Sequence, residues 1–204
     1  MHDDLLPFNA ELGRKAIHLL ALLIPAGILV WGREAALFVL VPLTVLALAG
    51  DILRARWTPM AQLVQKLVGF LMRAKELPPA GSHVVLNGAT WVLLASTLLA
   101  TLFTEHIAAA ALTMSMIGDA MAALVGGRFG RVRWPKSKRT LEGSAAFFST
   151  GFVIIVLWPH MPLWVGAAGA LAATVAEVVD DPLNDNLRVP LIAAFMLHVC
   201  LQTG

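Results

Sequence analysis

Seven apolar segments run through this chain with only short polar joints between them: Ile17 to Trp31, Ala35 to Leu53, Val84 to Phe103, Ile107 to Val125, Ala145 to Trp158, Leu163 to Val179 and Leu187 to Leu201. Such a pattern rules out most water-soluble folds. With 58 % hydrophobic and 14 % charged residues over 204 positions, and a mean hydropathy of +0.78, one aqueous core cannot hide the apolar surface, so most of it must face lipid. The segments predict an all-α, polytopic integral membrane bundle of about seven transmembrane helices, one catalytic domain over 1–204. Several segments are shorter than the ~20 residues of a full span, a length at which a buried or re-entrant helix competes. Cys200, the only cysteine, excludes an intrachain disulfide and a cysteine-based metal cluster. The opening Met1-His2-Asp3-Asp4 lacks the basic start of a cleaved signal peptide, so the first segment is expected to be retained.

Charge orients the spans. With the amino terminus cytoplasmic, 14 of the 15 Lys and Arg fall inside and only Arg33 lies outside; the opposite orientation would violate the positive-inside preference almost completely. The carboxyl terminus is then outside, and the expected location is a prokaryotic inner or plasma membrane. Residues 54–82 form a cytoplasmic interfacial segment. Within it, Met60, Leu63, Val64, Leu67 and Leu71 share one helical face between Trp57 and Lys75, the pattern of an amphipathic helix on the inner leaflet or packed on the bundle. Pro78-Pro79-Ala80-Gly81-Ser82 ends it.

This topology puts the chemistry on one side. Glu11, Arg14, Lys15, His18, Asp51, Asn87, Asp119, Glu142, Glu177, Asp180, Asp181, Asp185 and Asn186 all fall at or near cytoplasmic ends of spans. A transporter is expected to carry ionisable groups near the midplane, reachable from both faces. This chain does not.

Three groups carry the candidate site. Glu11, Arg14, Lys15 and His18 follow i, i+3, i+4, i+7 spacing and share a helix face, with His18 about one turn deeper than Lys15. Interfacial anchoring accounts for the charged members, less well for a buried imidazole. Next, Gly118-Asp119 sits in a small-residue helix and is followed by Gly126, Gly127 and Gly130, then by a basic loop over 128–143 with Lys136, Lys138, Arg139 and Thr140, and by Gly143-Ser144. A carboxylate can hold a hard cation such as Mg²⁺ (or Mn²⁺), bases can neutralise phosphate, and glycines let backbone N–H groups approach it. The competing readings are a structural ion pair for Asp119 and mere positive-inside topology for the loop. Third, Glu177, Asp180 and Asp181 cluster before Pro182, with Asp185 and Asn186 beyond it; such carboxylates repel unless a cation or protons intervene, which suggests a second metal or general-base site.

Together these residues resemble the CTP-dependent lipid kinases, the family of dolichol kinase, phytol kinase and yeast-type diacylglycerol kinase, distantly related to phosphatidate cytidylyltransferase. The likeness rests on Gly118-Asp119 with its glycine-rich tail, on Lys138-Arg139-Thr140-Leu141-Glu142-Gly143-Ser144, and on Asp185-Asn186-Leu187-Arg188-Val189-Pro190. Arg139 stands where relatives often carry a second lysine or asparagine. The resemblance implies transfer of the γ-phosphoryl of CTP to the hydroxyl of a polyprenol, phytol or diacylglycerol, with membrane lipids around the site and no nucleic-acid partner. It implies Asp119, Glu177 and Asp181 as metal ligands, and Asp119, Glu177, Asp180, Asp181 and His18 as the catalytic set. Phosphate binding would fall to Lys136, Lys138, Arg139, Thr140, Gly143, Ser144, Gly126, Gly127, Gly130, Arg14 and Lys15, with Glu11, Glu142, Asp185 and Asn186 in support. A cytidylyltransferase making a CDP-lipid could use the same residues, and a non-catalytic lipid-binding protein is the reading from another class. The oligomeric state is left open.

Overall fold

The computed structural model describes residues 13, 19–69, 81, 83–135, 137–180 and 183–203. Among them are seven α-helices, α1 (Leu23–Arg56), α2 (Thr58–Val68), α3 (Gly88–Leu102), α4 (Glu105–Phe129), α5 (Leu141–Val156), α6 (Leu163–Val178) and α7 (Asp185–Thr203). The named elements among the described residues are all helices, as the pattern required. Three helices, α1, α4 and α7, are long and apolar enough to cross a membrane; α3, α5 and α6 are shorter apolar helices. At 1.5 Å per residue, a 16-residue helix such as α5 reaches about 24 Å against a hydrocarbon core of about 30 Å.

The first two apolar segments form a single element with a break. Gly32 adopts φ 81 and ψ 164, which divides α1 into 23–31 and 33–56. A positive φ of this size is strained for any residue with a Cβ, and the break falls where the sequence leaves a gap between segments. The second half begins with an unsatisfied N–H at Arg33, and the Glu105 carboxylate of α4 accepts it at 2.8 Å.

Helix α4 is the axis of the bundle, packed against α1, α3, α5 and α7. Ala108, Ala109, Ala110 and Ala111 are completely buried, so its neighbours approach closely along a stretch with no large side chains. The contrast with α1 is large: 67 % of α4's apolar window is buried, against 17 % for α1. Phe38, Val30, Trp31 and Leu46 of α1 point outward, an apolar face suited to lipid. Helix α2 covers the described part of the expected amphipathic helix: Met60 and Val64 are half-buried, while Leu63 and Leu67 remain exposed. Residues 70–80, the rest of that reading, lie outside the described residues.

Candidate functional site

At one end of the bundle, α1 finishes, α3 begins, α4 finishes, α5 begins, α6 finishes and α7 begins. Two polar clusters form there. The first is built on Asp51 of α1, only 3 % exposed. Its carboxylate accepts from Arg54 (3.1 Å), the Asn87 backbone N–H and side-chain amide (2.9 Å each) and the Thr90 hydroxyl (2.7 Å). Asn87 in turn caps α3, its Oδ1 accepting from Ala89 and Thr90 N–H. Every oxygen of Asp51 is engaged, which ties α1 to α3.

The second cluster surrounds Arg139. Its guanidinium lies 2.9 Å from Glu177 of α6, 2.5 Å from Asp185 of α7 and 3.9 Å from Asp119 of α4. Three carboxylates from three helices therefore face one loop arginine. Burial alone would lower the Arg139 pKa, but the charges of Glu177, Asp119 and Asp185 outweigh it and hold the guanidinium protonated. Glu177, 2 % exposed, also accepts from the Ser144 hydroxyl (3.3 Å), which takes a bond from Trp134 Nε1 (3.1 Å). Arg188 donates to Asp185 (2.6 Å) and to the carbonyls of Ala176, Val179 and Leu183, so it closes the end of α6. Asn186 donates to the Gly88 carbonyl (3.2 Å) and links α7 to the start of α3.

The loop that delivers Arg139 is held on both sides. Arg133 pairs with Thr140 in an antiparallel bridge, and the Glu142 carboxylate accepts from Arg131 N–H (3.0 Å) and Val132 N–H (3.3 Å). The bond to its own backbone N–H is the largest of the effects that hold the Glu142 pKa down; burial pushes the other way, and Arg131 and Val132 add to the depression. Ser137 donates to the Val178 carbonyl (2.8 Å), fixing the loop to the end of α6. Thr140 caps α5, its Oγ1 accepting from Gly143 N–H at 3.1 Å.

The glycines of this region have a packing duty. A Cβ on Gly126 would come within 2.8 Å of Thr140 Oγ1, and one on Gly143 within 3.0 Å of the Ala122 carbonyl. Gly130 meets Thr140 in the same way, whereas Gly127 borders open space. Glycine is thus required where α4 and α5 cross, and Gly143 N–H is engaged in the cap.

The structure brings together Asp119, Arg139, Ser144, Glu177, Asp185 and Asn186 of the expected site. Lys138 and Asp180 are exposed. Glu11, Arg14, Lys15, His18, Lys136 and Asp181 lie outside the described residues. No group of three or more His, Cys, Asp or Glu among the described residues is arranged to hold a metal ion by itself. The acidic cluster does have the cation its mutual repulsion demands, supplied by Arg139 and Arg188. The roles of Arg188, Trp134 and Ser137 were not read from the sequence; only the i, i+3 spacing of Asp185 and Arg188 signals a pair.

Ser115, Asp119, Glu177, Asp185 and Asn186 form the polar part of a pocket whose other walls are apolar. Known proteins are similar to this chain in sequence. It is 33 % identical over 134 residues to a probable chloroplastic phytol kinase of Triticum aestivum, covering 55 % of this chain and 45 % of that protein. It is 44 % identical over 90 residues to the dolichol kinase of Saccharomyces cerevisiae, covering 40 % of this chain and 17 % of the relative. With the CTP-dependent diacylglycerol kinase 1 of Schizosaccharomyces pombe the identity is 26 % over 173 residues, 76 % of each chain. The chain is similar in sequence to lipid kinases that act on different alcohols, CTP-dependent diacylglycerol kinases among them. The chain spans less than half the length of the wheat and budding-yeast relatives and about three quarters of the fission-yeast one. No family model and no solved structure matches it.

Proposed function

We propose that the chain transfers the γ-phosphoryl group of CTP to the hydroxyl of a lipid alcohol at a membrane surface, with its site on the cytoplasmic face of a bundle of about seven spans. The observation that supports this reading is a charged cluster at the mouth of an apolar pocket, the arrangement needed where a polar phosphate meets a hydrophobic acceptor. The acceptor oxygen attacks the γ-phosphorus, the bond to the β–γ bridging oxygen breaks, CDP leaves, and the hydroxyl proton passes to a carboxylate. We assign that acceptor role to Glu177, which lines the pocket and is oriented by Ser144. Arg139 and Lys138 neutralise phosphate charge, and phosphoryl transfer asks for little beyond such positioning and neutralisation.

The donor set fits Mg²⁺. That ion usually takes one or two carboxylates together with substrate phosphates and water instead of an all-protein cage, and Asp119, partly exposed at the pocket mouth, would hold it. When bound, the ion would supply charge neutralisation between the phosphates.

The decisive experiment incubates purified protein with CTP labelled at the α or γ position and a mixture of lipid alcohols. Label entering lipid from the γ position is expected. Entry from the α position would mean a cytidylyltransferase, and entry from neither would mean a lipid-binding protein. The orientation is tested separately: a cysteine placed in the 128–142 loop should resist a membrane-impermeant thiol reagent applied to intact cells.

A further inference from the structure

Deeper in the same pocket lies a hydroxyl that none of the described residues uses. Ser115 of α4 is 7 % exposed, lines the cavity, and its Oγ has no hydrogen-bond partner among the described residues. A helical serine or threonine has an ordinary remedy in an apolar setting, donation to the carbonyl four residues back. This chain applies it repeatedly: Ser96 to Val92 (2.8 Å), Thr101 to Thr97 (2.7 Å) and Thr174 to Ala170 (2.7 Å). Ser115 does not. An unmet buried hydroxyl is a standing cost, and here it is kept one helical turn, about 6 Å, from Asp119 on the same face of α4.

Around it the walls are Leu112 and Met116 of α4, Val92 of α3 and Phe147 of α5, and the whole pocket, its acidic end included, has a volume of only ≈ 20 Å³. That is room for about one water-sized group. Such a cavity suits a slim terminal group that is apolar except for one oxygen.

Resting on the kinase reading above, we propose that Ser115 hydrogen-bonds the acceptor hydroxyl of the lipid alcohol and that the narrow cavity around it selects primary over secondary alcohols. The carbon bearing a primary hydroxyl carries only one carbon chain, which leads away toward the membrane. A secondary carbon would bring a second chain against Phe147 or Met116. Ser115 is thus an acceptor-positioning residue, distinct from the groups that meet phosphate.

The test compares wild type with Ser115→Ala in detergent, using γ-labelled CTP and a matched pair of primary and secondary alcohols of one carbon skeleton. Leaving a substrate hydroxyl buried without its partner should lower kcat/KM for the primary alcohol by about 5- to 150-fold. The KM for CTP should stay unchanged, and the melting temperature should hold or rise, because an unmet hydroxyl has been removed. Wild-type alcohol kinetics in Ser115→Ala, or equal use of both alcohols by wild type, would overturn the proposal. A thermal-shift titration with a primary isoprenoid alcohol, without nucleotide, keeps the test independent of turnover. Stabilisation of wild type that is weakened in Ser115→Ala is expected, and no shift in wild type or equal shifts in both would overturn the assignment. Absence of any γ-label transfer by wild type, with that binding difference intact, would strike the kinase reading alone.

Discussion

Two buried carboxylates at the same end of the bundle have opposite surroundings. Asp51 is closed by Arg54 of its own helix and by Asn87 and Thr90 at the start of α3, and the latter bonds join two helices that must meet anyway. Glu177 shares its arginine with Asp119 and Asp185 and opens onto a cavity. A polar cluster satisfied by its own neighbours makes a joint. One in which several like charges converge on a single opposite charge, beside apolar space, is poised for a ligand. Burial alone does not distinguish them.

Substitutions can break this contrast, and the largest expected effect is at the open cluster. Asp119→Asn keeps size and removes charge; phosphoryl transfer should fall at least about 100-fold, on the scale of a lost electrostatic contact in a transition state. Its melting temperature should stay near wild type, and activity retained in excess chelator would remove the metal role. Asp51→Ala should do the reverse. It breaks the buried ion pair with Arg54 together with the bonds from Asn87 and Thr90, a loss of about 3–5 kcal/mol of stability, read as a lower denaturation midpoint, and any fall in activity should track the unfolded fraction. Were Asp51→Ala to inactivate a fully folded protein, the division into joint and site would fail.

Next in size is Arg139→Gln. A charge-assisted phosphate contact of about 1.5–3 kcal/mol predicts a roughly 10- to 150-fold loss in kcat/KM, carried mainly by the KM for CTP. Steady-state kinetics with CTP varied would settle whether Arg139 serves phosphate or only holds three helices together. The smallest effect belongs to the loop latch. Because the folded pKa of Glu142 is lowered, its stabilising contribution is fully present above the ordinary carboxylate range and is lost as pH falls through the lowered value. Hydrogen exchange at Arg131 and Val132 should therefore quicken only in acid, and Glu142→Gln should abolish that pH dependence.

How much of this was legible in the sequence follows from distance along the chain. The break at Gly32 shows as a gap between apolar segments, and Gly118-Asp119 and Asp185 to Pro190 stand out because local charge contradicts an apolar context. The Asp51 joint was hidden: its partners Asn87 and Thr90 lie 36 and 39 positions away, and no local rule pairs them. Arg139 reads as one base among several until folding brings three helix ends around it. Gly126, Gly130 and Gly143 read as a phosphate cradle because glycine serves close approach of any kind, and the sequence does not say whether the approaching group is a phosphate or a neighbouring helix. Ser115 carries no signal at all except its four-residue spacing from Asp119.

The run of alanines in α4 has a consequence far from where it sits. Ala108 to Ala111 lie about 12–17 Å along the axis from Asp119, completely buried and with helices on several sides. They act as the gauge block against which the bundle is set. A single added methyl there would wedge apart the helices that carry the carboxylates, at the far end of a rigid lever. The tolerance of this protein's chemistry to change is fixed at a place where no chemistry occurs.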